Sequence, residues 1–108
     1  MLQFEKDIAS PYSAMLAQAR NMLICDYKLT ETRKPRITTY SDEHGGICHM
    51  RTMPDGLDIG FLKGAKMHDP NNLLSGRGKL LRVLSFQKFD AQVAQEFLDQ
   101  AIAINAGR

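Results

Sequence analysis

The chain has 108 residues, 44% of them hydrophobic and 24% charged, with a formal net charge of +2. One domain over residues 1–108 with a true apolar core fits that length, and so small a net charge argues against nucleic acid, whose binders concentrate basic residues on one surface. No apolar run reaches the roughly 18 residues of a membrane span, and the N-terminus lacks the basic-then-apolar order of a signal peptide. No membrane partner is expected, and the expected location is the cytoplasm, with Cys25 and Cys48 as reduced thiols.

Ser10-Pro11 opens the first predicted helix, because a serine hydroxyl caps orphan amides and proline suits the first turn. Met15, Leu16, Ala19, Met22 and Leu23 make one apolar stripe, so the helix is predicted over about Pro11 to Asp26. The polar tract Leu29 to Arg36 reads as a connection. Ile37-Thr38-Thr39-Tyr40 is β-branched and aromatic; Asp42 to Gly46 supplies a turn; Ile47 to Thr52 reads as the next strand. Met53-Pro54-Asp55-Gly56 is a second turn, and Leu57, Ile59 and Phe61 alternate with Asp58 and Gly60 as a strand with one buried face. Gly64 to Gly78 reads as a loop tacked to the core by Leu73 and Leu74. Lys79 to Phe86 has apolar residues on both faces, which predicts a fourth strand covered on both sides. Asp90 caps a last helix whose stripe is Val93, Phe97, Ala101 and Ile104, with Ala94, Leu98 and Ile102 beside it, and Gly107 terminates it. The expected fold is α+β: an antiparallel sheet of a three-strand meander and a later strand, packed with an N-terminal and a C-terminal helix.

Two groups of residues carry candidate chemistry. Lys63, Lys66, Arg77, Gly78, Lys79 and Arg82 surround a glycine-rich turn, where free amides and nearby cations form a nest for a small anion. The spacing is not that of a Walker A loop, since Leu73 and Leu80 occupy the positions of its first glycine and its hydroxyl residue. The competing reading is a structural turn with solvated cations. Asp42, Glu43, His44 and His49 around one hairpin, with His68 and Asp69, are the candidate metal ligands, a set of imidazoles and carboxylates suited to iron(II). Against that reading, Asp69 before Pro70 has an ordinary role as a turn cap.

No nucleophile–base arrangement is recognisable. Cys48 and His49 are neighbours on a strand and point to opposite faces. Arg33, Lys34 and Arg36 with Tyr40 nearby form a short basic patch that suits an acidic partner or nucleic acid, against the simpler reading of a charged solvated loop. Ile102 to Ile104 widens the last apolar stripe towards a homodimer contact.

The stretch Gly60-Phe61-Leu62-Lys63-Gly64-Ala65-Lys66-Met67-His68-Asp69-Pro70, then Leu74-Ser75-Gly76-Arg77-Gly78-Lys79 and Arg82, resembles the YdhG-like family of small bacterial domains, largely of unknown function. The similarity spans roughly residues 45–104. The family's aromatic-Gly-x-Pro motif is absent here, where Arg33-Lys34-Pro35-Arg36-Ile37 stands. The resemblance implies a small α+β fold, and one branch of the family implies iron delivery like that of frataxin. The reading is thus a non-enzymatic binding protein with no resident cofactor expected. Its ligand is a small anion at the glycine-cation loop; the alternatives are iron handling and a protein-interaction module.

Overall fold

A computed structural model describes residues 1–107. Two helices come first: α1 (Gln3–Ile8) and α2 (Ser13–Asn21), the latter widening without a break into a π-helical turn, Met22–Asp26. Six strands follow: β1 (Thr30–Arg33), β2 (Thr38–Asp42), β3 (Gly45–Met53), β4 (Gly56–Phe61), β5 (Leu74–Ser75) and β6 (Arg82–Phe86). Helix α3 (Ala91–Asn105) closes the described chain. All strand pairs are antiparallel, in the spatial order β1-β2-β3-β4-β6-β5. The fold is α+β, as expected.

Register assigns the two faces. One cross-sheet row runs Glu31, Tyr40, Cys48, Phe61, Arg82; the next runs Arg33, Thr38, Met50, Ile59, Leu84, Leu74. These rows carry the core, with Tyr40, Cys48, Met50 and Phe61 at 0% exposure, and they pack against Leu16, Ala19 and Leu23 of the first helices and Ala94, Phe97 and Leu98 of α3. Rings of Phe61 and Phe97 lie tilted at 6.1 Å between centroids, joining sheet to helix. The opposite rows are Thr39, His49, Gly60, Val83, Ser75 and Arg51, Asp58, Ser85. That composition suits a face without a second layer, and polar-out alternation follows.

Several expectations change. The first helix is divided: Ser10 Oγ accepts from the Tyr12 amide in a turn before α2 rather than capping a helix at Pro11. An unforeseen α1 is held by Asp7, fully buried, whose Oδ1 accepts from Gln3 Nε2 at 2.8 Å and from the amide and hydroxyl of Thr52 at 2.9 and 2.7 Å. The tract read as a connection contains β1. Its Thr-Glu-Thr-Arg sequence alternates with period two but carries no apolar residue, because an edge strand leaves much of its length to solvent. Strand β6 is covered on one face only: Leu84 and Phe86 are buried, whereas Leu80 and Leu81 precede the strand and are 42% and 38% exposed. Leu74 packs on the core, but Leu73 is exposed. Asp90 caps α3 as expected, accepting from the amides of Gln92 and Val93.

Candidate functional site at the first sheet edge

The most organised polar cluster joins α2 to β1. Glu31 sits on the inner face at the sheet edge, opposite Tyr40. Its Oε2 accepts from Arg20 Nε at 2.6 Å and from the Tyr40 hydroxyl at 2.9 Å, while Oε1 accepts from Arg20 Nη2 at 3.1 Å and Arg33 Nε at 2.9 Å. Arg20 thereby makes the two-pronged contact that a guanidinium geometry favours. The Arg33 guanidinium carbon lies over the Phe4 ring, 3.7 Å from its centroid, and that of Arg20 approaches the same ring at 5.3 Å.

The electrostatics follow from that count. Burial disfavours the charged form of Glu31, but hydrogen bonds from Arg20, Arg33 and Tyr40 outweigh it and hold the carboxyl below its ordinary range. The bond to Glu31 raises Arg20 against a smaller effect of burial. Burial, then the adjacent carboxylate, pushes the Tyr40 phenol well up, so it stays a hydrogen-bond donor. Two guanidiniums thus share one carboxylate, and the cluster keeps an excess positive charge. Arg33 Nη1 and Nη2 take no part in these bonds, and its side chain is 45% exposed.

An apolar groove opens directly beside Arg20. It encloses about 250 Å³ between α1, α2 and the π-helical turn, lined by Phe4, Ile8, Leu16, Ala17, Arg20 and Ile24 with Ser13, Asn21 and Cys25 at its margins. The wider π turn is closed by the Tyr27 amide bonding to Met22 O at 3.2 Å, and Lys28 then takes a positive φ of 57° to end the helix. Ile8 is 54% exposed at the lip. The arrangement offers an apolar wall to a ligand body and a guanidinium to an anionic end.

Residues singled out from sequence are distributed differently. Arg82 folds back on its own loop, donating through Nη1 to Gly78 O at 2.6 Å and Leu81 O at 2.7 Å. The loop therefore turns carbonyls, not amides, toward that cation. Lys63 Nζ donates to Asn105 Oδ1 at 2.9 Å, which draws it toward the end of α3. Lys66, Arg77, Gly78 and Lys79 are exposed.

Among the metal candidates, Asp42 Oδ1 accepts from the His44 amide at 2.8 Å and Asn105 Nδ2 at 2.9 Å. Glu43 and His44 are exposed in the hairpin turn, 3.5 Å apart. His49 stands farther along β3, paired with Thr39 and lying over Gly60, where an added Cβ would meet the imidazole at 2.3 Å. Burial, then the charge of Arg51, lowers its proton affinity. Asp69 caps a turn through the amides of Leu73 and Leu74, both at 2.9 Å, and the backbone of His68 is clamped by Gln100. Among the described residues, no three His, Cys, Asp or Glu side chains converge to hold a metal ion.

Arg33, read from sequence as part of a basic patch with Tyr40 nearby, also takes part in this cluster, and Tyr40 is wholly buried. Arg20, Glu31 and Phe4 were missed, because a polar edge strand and a short first helix hid their proximity. The only sequence signal was the period-two placement of Glu31 and Arg33 between threonines. No protein-family model, no curated protein and no solved structure matches this chain.

Proposed function

We propose that the protein is a small non-enzymatic binding protein for an amphipathic organic anion. The ligand's apolar body occupies the groove between α1 and α2, and its carboxylate or similar head meets the exposed edge of the Arg20–Arg33 pair. One observation carries this reading: Arg20, which shares the single carboxylate of Glu31 with Arg33 and so is only partly neutralised, stands at the wall of an apolar groove. The groove is slightly smaller than the roughly 300–1,000 Å³ of a drug-sized site, which favours a single medium-length chain or one ring system. The ligand class is the small anion expected from sequence, but the site lies at the other edge of the sheet from the glycine-cation loop.

Calorimetric titration with octanoate and with octan-1-ol tests the reading, since the two differ in the charged head. Octanoate should bind at least tenfold more tightly. Ala17→Phe, at an exposed position on the groove wall, should abolish binding while far-UV circular dichroism stays unchanged. Equal affinity for acid and alcohol, or full binding by Ala17→Phe, would refute it.

A further inference from the structure

The loop joining β5 to β6 has its own character. Every residue from Ser75 to Leu81 is exposed, and the run Arg77-Gly78-Lys79-Leu80-Leu81 sets two cations beside two leucines. Leu73, 43% exposed, precedes β5 at the base of the same hairpin. The Ala65 amide bonds to Leu80 O at 2.8 Å, which brings Lys66 alongside. None of Lys66, Arg77 and Lys79 forms an ion pair among the described residues, and the sequence has no acid between Asp69 and Asp90. The tip is also prearranged, because Arg82 ties Gly78 O and Leu81 O together from below.

Exposed leucines cost solubility unless something covers them. We infer that this loop docks on the surface of an anionic phospholipid bilayer, with Leu80 and Leu81 entering the headgroup region and Lys66, Arg77 and Lys79 meeting lipid phosphates and carboxylates. Charge complementarity points to an acidic surface. Size separates a bilayer from an acidic protein: seven exposed residues present a few hundred Å², well under the roughly 800 Å² per partner of a stable protein–protein interface. A bilayer needs less, since a few inserted apolar side chains with basic neighbours give reversible attachment. The contact is peripheral, as no described helix is long and apolar enough to cross a membrane.

The test is co-sedimentation of the full chain with vesicles of phosphatidylcholine alone and of phosphatidylcholine with 30 mol% phosphatidylserine, at 0.1 M and 0.5 M salt. Binding should require phosphatidylserine and fall at least fivefold at the higher salt. Arg77→Gln with Lys79→Gln should weaken it about tenfold or more, since each basic residue near such a surface contributes about fivefold. Leu80→Ser with Leu81→Ser should weaken it by a similar factor. Lys34→Gln with Arg36→Gln, exposed near the opposite sheet edge and identical in charge change, should leave it unaltered. No attachment to the acidic vesicles would overturn the inference. So would attachment equally sensitive to both charge pairs, or insensitive to the leucines, since either means diffuse electrostatic adsorption. Leucine-dependent binding to soluble polyglutamate but not to vesicles would assign the loop to an acidic protein instead.

Discussion

Replacing Glu31 tests the cluster in two independent directions. In Glu31→Ala the Tyr40 hydroxyl, on a residue with no exposed surface, loses its acceptor. A buried donor left unsatisfied costs about 1–3 kcal/mol. The contacts to Arg20 and Arg33 add less, about 0.2–1 kcal/mol each, because both arginine side chains are more than a third exposed and solvent screens them. The expected loss is therefore about 2–4 kcal/mol, read as a lowered midpoint in urea denaturation followed by circular dichroism. Glu31→Gln keeps an oxygen for Tyr40 but loses the charge, and should cost about half as much. Tyr40→Phe removes the donor that would be orphaned, so in that background Glu31→Ala should cost at least about 1 kcal/mol less. Binding should move the opposite way. Without the carboxylate the charge of Arg20 at the groove wall is no longer offset, and octanoate affinity in Glu31→Gln should rise about fivefold, the effect of roughly 1 kcal/mol for one screened charge at several ångströms. A loss under about 1 kcal/mol in Glu31→Ala, with no coupling to Tyr40, would show that water replaces the carboxylate freely. The account of a buried, organised cluster would then be wrong.

Acid should weaken the fold through the same residue. The carboxyl of Glu31 is held below its ordinary value in the folded state, so its contribution is complete above the unfolded value near 4.3 and is lost as pH falls through the folded one; Glu31→Gln should flatten that part of the stability–pH profile. With a thiol reagent at neutral pH, Cys25, exposed at the groove margin, should react in the native protein, while Cys48, fully buried and pushed up to about 12 by burial, should react only in denaturant. Counting thiols with and without denaturant checks this, and two fast equivalents would contradict it. Gly56→Ala should destabilise by about 2 kcal/mol or more, because its Cβ would lie 2.0 Å from the Phe86 carbonyl oxygen and strands β4 and β6 would have to separate; urea unfolding reads it directly.

Legibility followed burial. Strand β3 was readable from the turns that bound it, β4 from its apolar alternation, and the long amphipathic α3 from its stripe and the Asp90 cap. What escaped was stabilised by single polar contacts. Helix α1 is only six residues and depends on Asp7 reaching Thr52 across 45 positions, a pairing that no local pattern announces. Strand β1 is tied in by Glu31, which accepts from Arg20 of α2, from Tyr40 and from its own neighbour Arg33, rather than by apolar alternation. Lys79 to Phe86 failed in the other direction: its apolar run looked like a doubly covered strand, but Leu80 and Leu81 lie outside the sheet and meet solvent. The groove needed α1, whose Phe4 and Ile8 form one wall, so no pattern within the first predicted helix alone could show it.

The position of the two surfaces makes their relation testable. Strand β1, which carries Glu31, and strand β5, which leads into the leucine loop, are opposite edges of one six-stranded sheet. Five inter-strand spacings of about 4.8 Å put them roughly 24 Å apart, well beyond the distance at which substitutions ordinarily interact. Screening over about 8–10 Å at physiological salt removes direct electrostatic influence as well. The sheet and the core beneath it connect them, and in the row from Glu31 to Arg82 the central Tyr40, Cys48 and Phe61 are fully buried. Octanoate should therefore leave vesicle binding unchanged, and the Leu80→Ser, Leu81→Ser variant should bind octanoate like the parent. A change above about threefold in either experiment would require a second arrangement of that row.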